Sequence, residues 1–253
     1  MIGRWLRGLP GVPAPRRWTL RQASDLVPRI DRLPSRRRSR FPEIRDERFW
    51  SLYASAAPLS LLHVPGFYNL YQSMRYLAAR RLPGDIVECG CFLGGVALFL
   101  GLLRRDLGLD DKRLVLFDTF VGPPVGSSDV AFGRPTTTLH ALPHFRSEVE
   151  ATLTRHLGGL DGIELVEGLV EDTVPVHGGG PICLLRLDTD HYPSTRVELT
   201  CLYPRLVPGG VLIVDDYGIY DGARRATDDF LVGLADPPLL NRIDGGIWAG
   251  VKP

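Results

Sequence analysis

The chain has 253 residues, 44% of them hydrophobic and 23% charged, enough apolar material for one sizeable buried core; a disordered or fibrous protein is excluded. Thirty basic and 29 acidic side chains leave a formal net charge of +1, so bulk charge gives no argument for a polyanion partner. No run of about 18 uncharged apolar residues occurs, and no transmembrane helix is expected.

Residues 1–40 stand apart, with 11 Arg against Asp25 and Asp31, which is +9 for the segment and leaves −8 for the rest. Pro10, Pro13 and Pro15 break up the N-terminus and leave no apolar signal core, so this reads as an Arg/Pro-rich arm with one short helix near Leu20 to Ile30. The arm is expected to make dimer contacts or to be a solvated tail rather than to bind nucleic acid. The globular part should start near Phe41. Apolar residues at helical spacing, from Phe49, Leu52 and Tyr53 to Met74 and Leu77, predict helix over 45–80, its aromatics in the core.

After Pro83-Gly84 the pattern becomes strand, glycine turn and helix, in DIVECG followed by VALFLGLLRRDLG, and then a second strand, RLVLFDTF. Residues 121–145, rich in Gly and Pro, read as a long functional loop, a substrate lid. Alternation resumes with a helix at 146–158, strands at IELVEG and ICLLRLDTD, a helix at 194–205, the strand GGVLIVDDY, a helix at 222–234, and closing strands near RIDG and GIWAGVK. Helices alternating with strands predict a single α/β domain over 41–253: a mostly parallel sheet with helices on both faces. Cys89, Cys91, Cys183 and Cys201 lie in apolar runs and read as buried free thiols of a cytoplasmic protein.

Three groups of residues carry the chemistry. In Glu88-Cys-Gly90-Cys-Phe92-Leu-Gly94 a strand ends in an acid and runs through glycines into a helix, which lets the backbone approach a ligand while the acid binds amino or hydroxyl groups. Asp118 closes the next strand, where an acid commonly takes ribose hydroxyls. Together they point to a nucleoside ligand rather than a dinucleotide, whose pyrophosphate the Glu would repel. Asp188 and Asp190 end one strand, and Asp215 and Asp216 end another. Four carboxylates in one crevice repel each other, and a hard divalent cation such as Mg²⁺ resolves that repulsion.

The segments DIVECGCFLGG, LVLFDTF, LLRLDTDHYPSTRVELTCLYPRLVPGGVLIVDDYG and GARRATDDF resemble the macrocin O-methyltransferase family, from about residue 83 to the C-terminus. The resemblance implies a class I, Rossmann-like methyltransferase fold, S-adenosylmethionine as donor, Mg²⁺ dependence and a sugar hydroxyl as acceptor. Carried over, it puts Glu88, Gly90, Phe92 and Gly94 around the methionine and ribose end of the donor, Asp118 on the ribose, and Glu171-Asp172 on the adenine side. Asp188, Asp215 and Asp216 match the metal ligands, and Asp190 the base.

For deprotonating the acceptor, His191 competes with Asp190, since it stands three residues after the first metal ligand; His144 in the long loop is a third candidate. Tyr192 and Tyr217 flank the acidic pairs, where they can stack on a sugar or pack in the core. The rival readings are a catechol-type phenol O-methyltransferase, a nucleoside-binding module without catalysis, and a nucleic-acid methyltransferase using the arm. The aspartate quartet argues against the last two.

Overall fold

The computed structural model describes residues 33–122, 130–131, 134–135 and 146–253. The expected helix near residues 20–30, His144 and most of the 121–145 loop lie outside them. Helices α1 (Glu47–Ala56) and α2 (Val64–Arg80) precede β1 (Asp85–Cys89), α3 (Gly95–Asp106), β2 (Leu114–Asp118) and a two-residue hairpin, β3 (Val130–Ala131) with β4 (Arg134–Pro135). Then come α4 (Arg146–Leu157), β5 (Ile163–Glu167), α5 (Val170–Thr173), β6 (Ile182–Leu187), α6 (Tyr192–Leu202), β7 (Leu206–Val214), α7 (Asp221–Leu231), β8 (Asn241–Arg242) and β9 (Trp248–Val251).

The sheet runs in the order β5-β2-β1-β6-β7-β9-β8, with the first five strands parallel and β9 antiparallel to both its neighbours. Each inner strand is apolar on both sides, because side chains alternate between two covered faces. Ile86, Leu114, Leu116, Val211 and Ile213 join the core beneath α1 to α4, while Val87, Val115, Phe117, Leu212 and Val214 join the core beneath α6 and α7. The α/β expectation holds, helices on both faces included. All four cysteines are free thiols, three of them buried. Among the described residues no helix is long and apolar enough to cross a membrane.

The structure departs from the expected helix over 45–80, which is two helices. The chain leaves α1 through a 3₁₀ turn at Ala57–Leu59 containing Pro58, and α2 restarts with Pro65 in its first turn. Proline, lacking an N–H, is tolerated in a first turn where no intrahelical bond is lost. The same rule moves the start of α6 forward to Tyr192, with Pro193 in its first turn. The aromatic residues do pack as core: Phe49, Phe67 and Phe99 are fully buried, with Phe67 and Phe99 edge to face at 4.9 Å between centroids. The folded body also begins earlier than Phe41. Arg36 is buried and donates to the carbonyls of Ala57 (2.8 Å), Ser60 (2.6 Å) and Leu62 (2.7 Å), pinning the incoming chain to the loop between α1 and α2.

Candidate active site

The chain lays β1, β2 and β5 in one direction and returns on the other side of β1 with β6 and β7, so the sheet order reverses between β1 and β6. Ligands of such sheets bind beyond the carboxyl ends of the strands at this reversal. Parity then decides what faces the crevice. Glu88 follows Ile86 by two in β1, Arg186 follows Leu184 by two in β6, and Asp215 follows Ile213 by two at the end of β7, so all three share the α1 to α4 face.

Asp188, Asp215 and Asp216 each offer a carboxylate oxygen, and these oxygens lie within 4.8 Å of one another. Burial pushes the Asp215 and Asp216 carboxyls well above the usual carboxylate range, and neighbouring acids add to it, Asp188 at Asp215 and Asp190 at Asp216. Asp190 joins them: its N–H donates to Asp216 Oδ2 at 3.2 Å, and burial together with Asp188 pushes its carboxyl up to about 7. Its backbone is left-handed, at φ 69°, an unfavourable conformation for Asp held by the surrounding bonds. Three mutually close carboxylates of which two are largely dehydrated form a hard-oxygen donor set that fits a divalent ion such as Mg²⁺.

The turn after β1 is where the donor is expected. Gly90 has φ 85°, and a Cβ there would overlap the carbonyl oxygen of Asp188, so only glycine lets the turn lie against the end of β6. Phe92 and Gly94 are also left-handed, at φ 49° and 79°, and Gly94 caps α3. Asp118 braces this shape from the next strand. Its Oδ2 accepts the N–H of Cys91 (2.7 Å) and Phe92 (3.2 Å), and its Oδ1 accepts that of Phe120 (2.7 Å). In this structure Asp118 thus holds the turn, a duty beside the expected ribose contact. Asp118→Ala strands three N–H groups and should cost about 2 kcal/mol of stability, read as a lower denaturation midpoint in urea.

Glu88 is 0% exposed. Its Oε1 accepts from Arg186 at 2.7 Å, while Oε2 has no hydrogen-bond partner among the described residues. Burial pushes its carboxyl up to about 7 against the opposing pull of Arg186. A buried, unpartnered acceptor beside a glycine turn fits a ligand that brings an ammonium or hydroxyl group. Glu171, in α5, accepts from Ser194 Oγ of α6 at 2.8 Å, and Asp172 is exposed to solvent.

Of the two base candidates described, Asp190 stands among the carboxylates, while His191 is 2% exposed at the N-cap of α6. The phenols of Tyr192 and Tyr217 are committed to α7, donating to Asp229 (2.9 Å) and Asp228 (2.7 Å), and the Tyr217 ring packs on Trp248 at 4.8 Å. Three site residues escaped the sequence reading. Arg186 donates to Asp188 Oδ2 at 2.7 Å and lies 3.0 Å from Asp215 Oδ1. Tyr220, whose phenol is pushed up by burial and by the nearby Asp190 and Asp216, stands beside the acids. Glu198, pushed up to about 8 by burial, accepts from Thr189 Oγ1 at 2.9 Å and so holds the loop between Asp188 and Asp190. The available signal was charge inside an apolar run: an Arg in LLRLD needs a buried carboxylate partner.

The macrocin O-methyltransferase (TylF) family model matches residues 61–248. The 8-demethyl-8-(2,3-dimethoxy-alpha-L-rhamnosyl)-tetracenomycin-C 4'-O-methyltransferase of Streptomyces olivaceus is 36% identical over 188 residues, 70% of this chain and 69% of that protein. Demethyldecarbamoylnovobiocin O-methyltransferase of Streptomyces niveus is 28% identical over 213 residues, 81% of this chain and 80% of its own length. Among solved structures, the O-methyltransferase NovP superposes with a TM-score of 0.69 at 25% identity, covering 92% of this chain and 98% of NovP. The chain belongs to the macrocin O-methyltransferase family of S-adenosylmethionine-dependent O-methyltransferases.

Proposed function

We propose that this enzyme methylates a hydroxyl of a sugar, on a saccharide or a glycosylated natural product, with a magnesium ion held by Asp188, Asp215 and Asp216. The observation that carries the reading is the carboxylate triad at the carboxyl ends of β6 and β7, next to the glycine turn after β1. Relatives named for methylating rhamnosyl-tetracenomycin and mycinamicin III support the sugar as acceptor.

Methyl transfer is an in-line displacement: an acceptor oxygen attacks the methyl carbon of the sulfonium, the S–CH₃ bond breaks, and the hydroxyl proton must leave. A neutral sugar hydroxyl is a weak nucleophile. Bound magnesium supplies a charge that lowers the pKa of a hydroxyl beside it. The protein's own residues do the rest. Glu88 and the 90–94 turn orient the donor, with Phe92 and Gly94 shaping its edge and Glu171 and Asp172 toward the adenine side. Asp190 is positioned by its left-handed backbone and its bond to Asp216 to take the proton. Asp190→Asn should lower kcat by about 10²-fold or more while divalent ion binding, followed with Mn²⁺, persists. His191, buried at the N-cap, and His144 are the alternative bases, and His191→Ala with near-normal kcat would leave Asp190 in the role.

The deciding experiment is an acceptor screen with methyl-labelled donor, offering rhamnosyl and other glycosides alongside catechols, with Mg²⁺ and with excess EDTA. Label should enter a sugar methyl ether, vanish in EDTA and return with Mg²⁺. Full turnover in EDTA, or label only in catechols, would overturn the proposal. A cytoplasmic homodimer completes the reading, and light scattering on the purified enzyme measures its mass.

A further inference from the structure

Arg186 is among the most deeply buried large side chains of the protein, at 2% exposure in the middle of the sheet. It pairs in register with Glu88 of β1 and spans three carboxylates from three adjacent segments: Nη1 meets Glu88 Oε1 at 2.7 Å, and Nη2 meets Asp188 Oδ2 at 2.7 Å and Asp215 Oδ1 at 3.0 Å. A guanidinium is planar, permanently charged and donates in a fixed fork, so these contacts set the carboxylates relative to one another. Glu88 is thereby clamped by one oxygen, and its other oxygen, Oε2, is buried and unpartnered among the described residues. Without a counter-charge a carboxylate so buried would be strongly destabilised.

We infer that Arg186 is the positioning residue of the donor site: anchored between Asp188 and Asp215, it aims Glu88 Oε2 at the donor before any divalent ion binds. The inference rests on the donor-site reading above and is independent of magnesium. Its consequence is that the donor side is complete in the metal-free enzyme, with Arg186 acting on the donor only through Glu88.

The test is calorimetric titration of S-adenosylhomocysteine into the full-length enzyme in excess EDTA, and again in Mg²⁺, for the wild type, R186M, R186K, E88Q and the double variant E88Q/R186M. The wild type should bind with dissociation constants within about threefold in the two buffers. R186M should bind about tenfold or more weakly in EDTA. R186K restores charge without the fork and should stay at least about fivefold weaker than wild type. In the E88Q background, R186M should cost less than about twofold, since the carboxylate it aims is already neutralised. Should R186M fail to fold, R186K and the double variant, which leaves no unpaired charge at Glu88, carry the comparison. Wild-type affinity in R186M or R186K, the same loss in both backgrounds, or wild-type binding that requires Mg²⁺ would each overturn the inference. No wild-type binding in either buffer would overturn the donor-site reading itself.

Discussion

Asp188→Ala abolishes methyl transfer while leaving S-adenosylhomocysteine binding within about threefold of the wild type. The expectation follows from geometry. Asp188 sits where the carboxylate triad meets the end of β6, and in the proposed reading its removal would take one of three hard oxygen donors from the cation. Charge stabilisation by a bound ion is worth several kcal/mol of barrier, so kcat/KM should fall by about 10³-fold or more. Donor binding persists because Glu88 keeps its own bond to Arg186 and the glycine turn is braced from Asp118. Parallel measurement of turnover and calorimetric binding separates the two effects, and a variant that turns over at more than about a tenth of the wild-type rate would remove Asp188 from the metal set.

Gly90→Ala should be the most damaging added methyl group among the described glycines. Two costs combine: a residue with a Cβ is strained at φ 85°, by about 1–2 kcal/mol, and the new carbon collides with the backbone carbonyl of Asp188, which cannot swing away like a side chain. Relief requires β1 and β6 to part at their carboxyl ends, beside Glu88 and Arg186. A loss of at least about 3 kcal/mol in urea denaturation is expected, with turnover and donor binding falling together. Gly108→Ala, at φ 63° with open space around it, is the control: it keeps the conformational cost and lacks the collision, so it should lose only about 1 kcal/mol and keep full activity.

Much of this architecture was readable from the chain itself. The strands that end in Glu88, Asp118, Asp188 and Asp215 are short apolar runs buried on both faces, and such runs announce inner parallel strands without tertiary information. The gathering of Asp188, Asp215 and Asp216 was equally legible, because strand ends in a parallel sheet meet along one edge. The break between α1 and α2 was missed because the apolar spacing continues across it; Pro58 and Pro65 were the signal, and proline marks a helix start as readily as a stop. The second duty of Asp118 and the left-handed backbones of Phe92 and Asp190 follow from contacts between segments far apart in sequence, which local patterns do not encode. Arg186 lay in plain view within LLRLD, but its meaning depends on Glu88, a residue 98 positions away.

That separation has a consequence for how the enzyme is made. On the ribosome, β1 emerges long before β6 and β7, so Glu88 must wait, without its guanidinium partner, until more than half of the domain has been synthesised. Contacts this distant in sequence carry a large loop-closure cost and form late in folding. The candidate site is therefore among the later parts of the molecule to take shape, and nascent chains ending before β7 leave β6, an apolar strand, as an unpaired edge that suits chaperone capture.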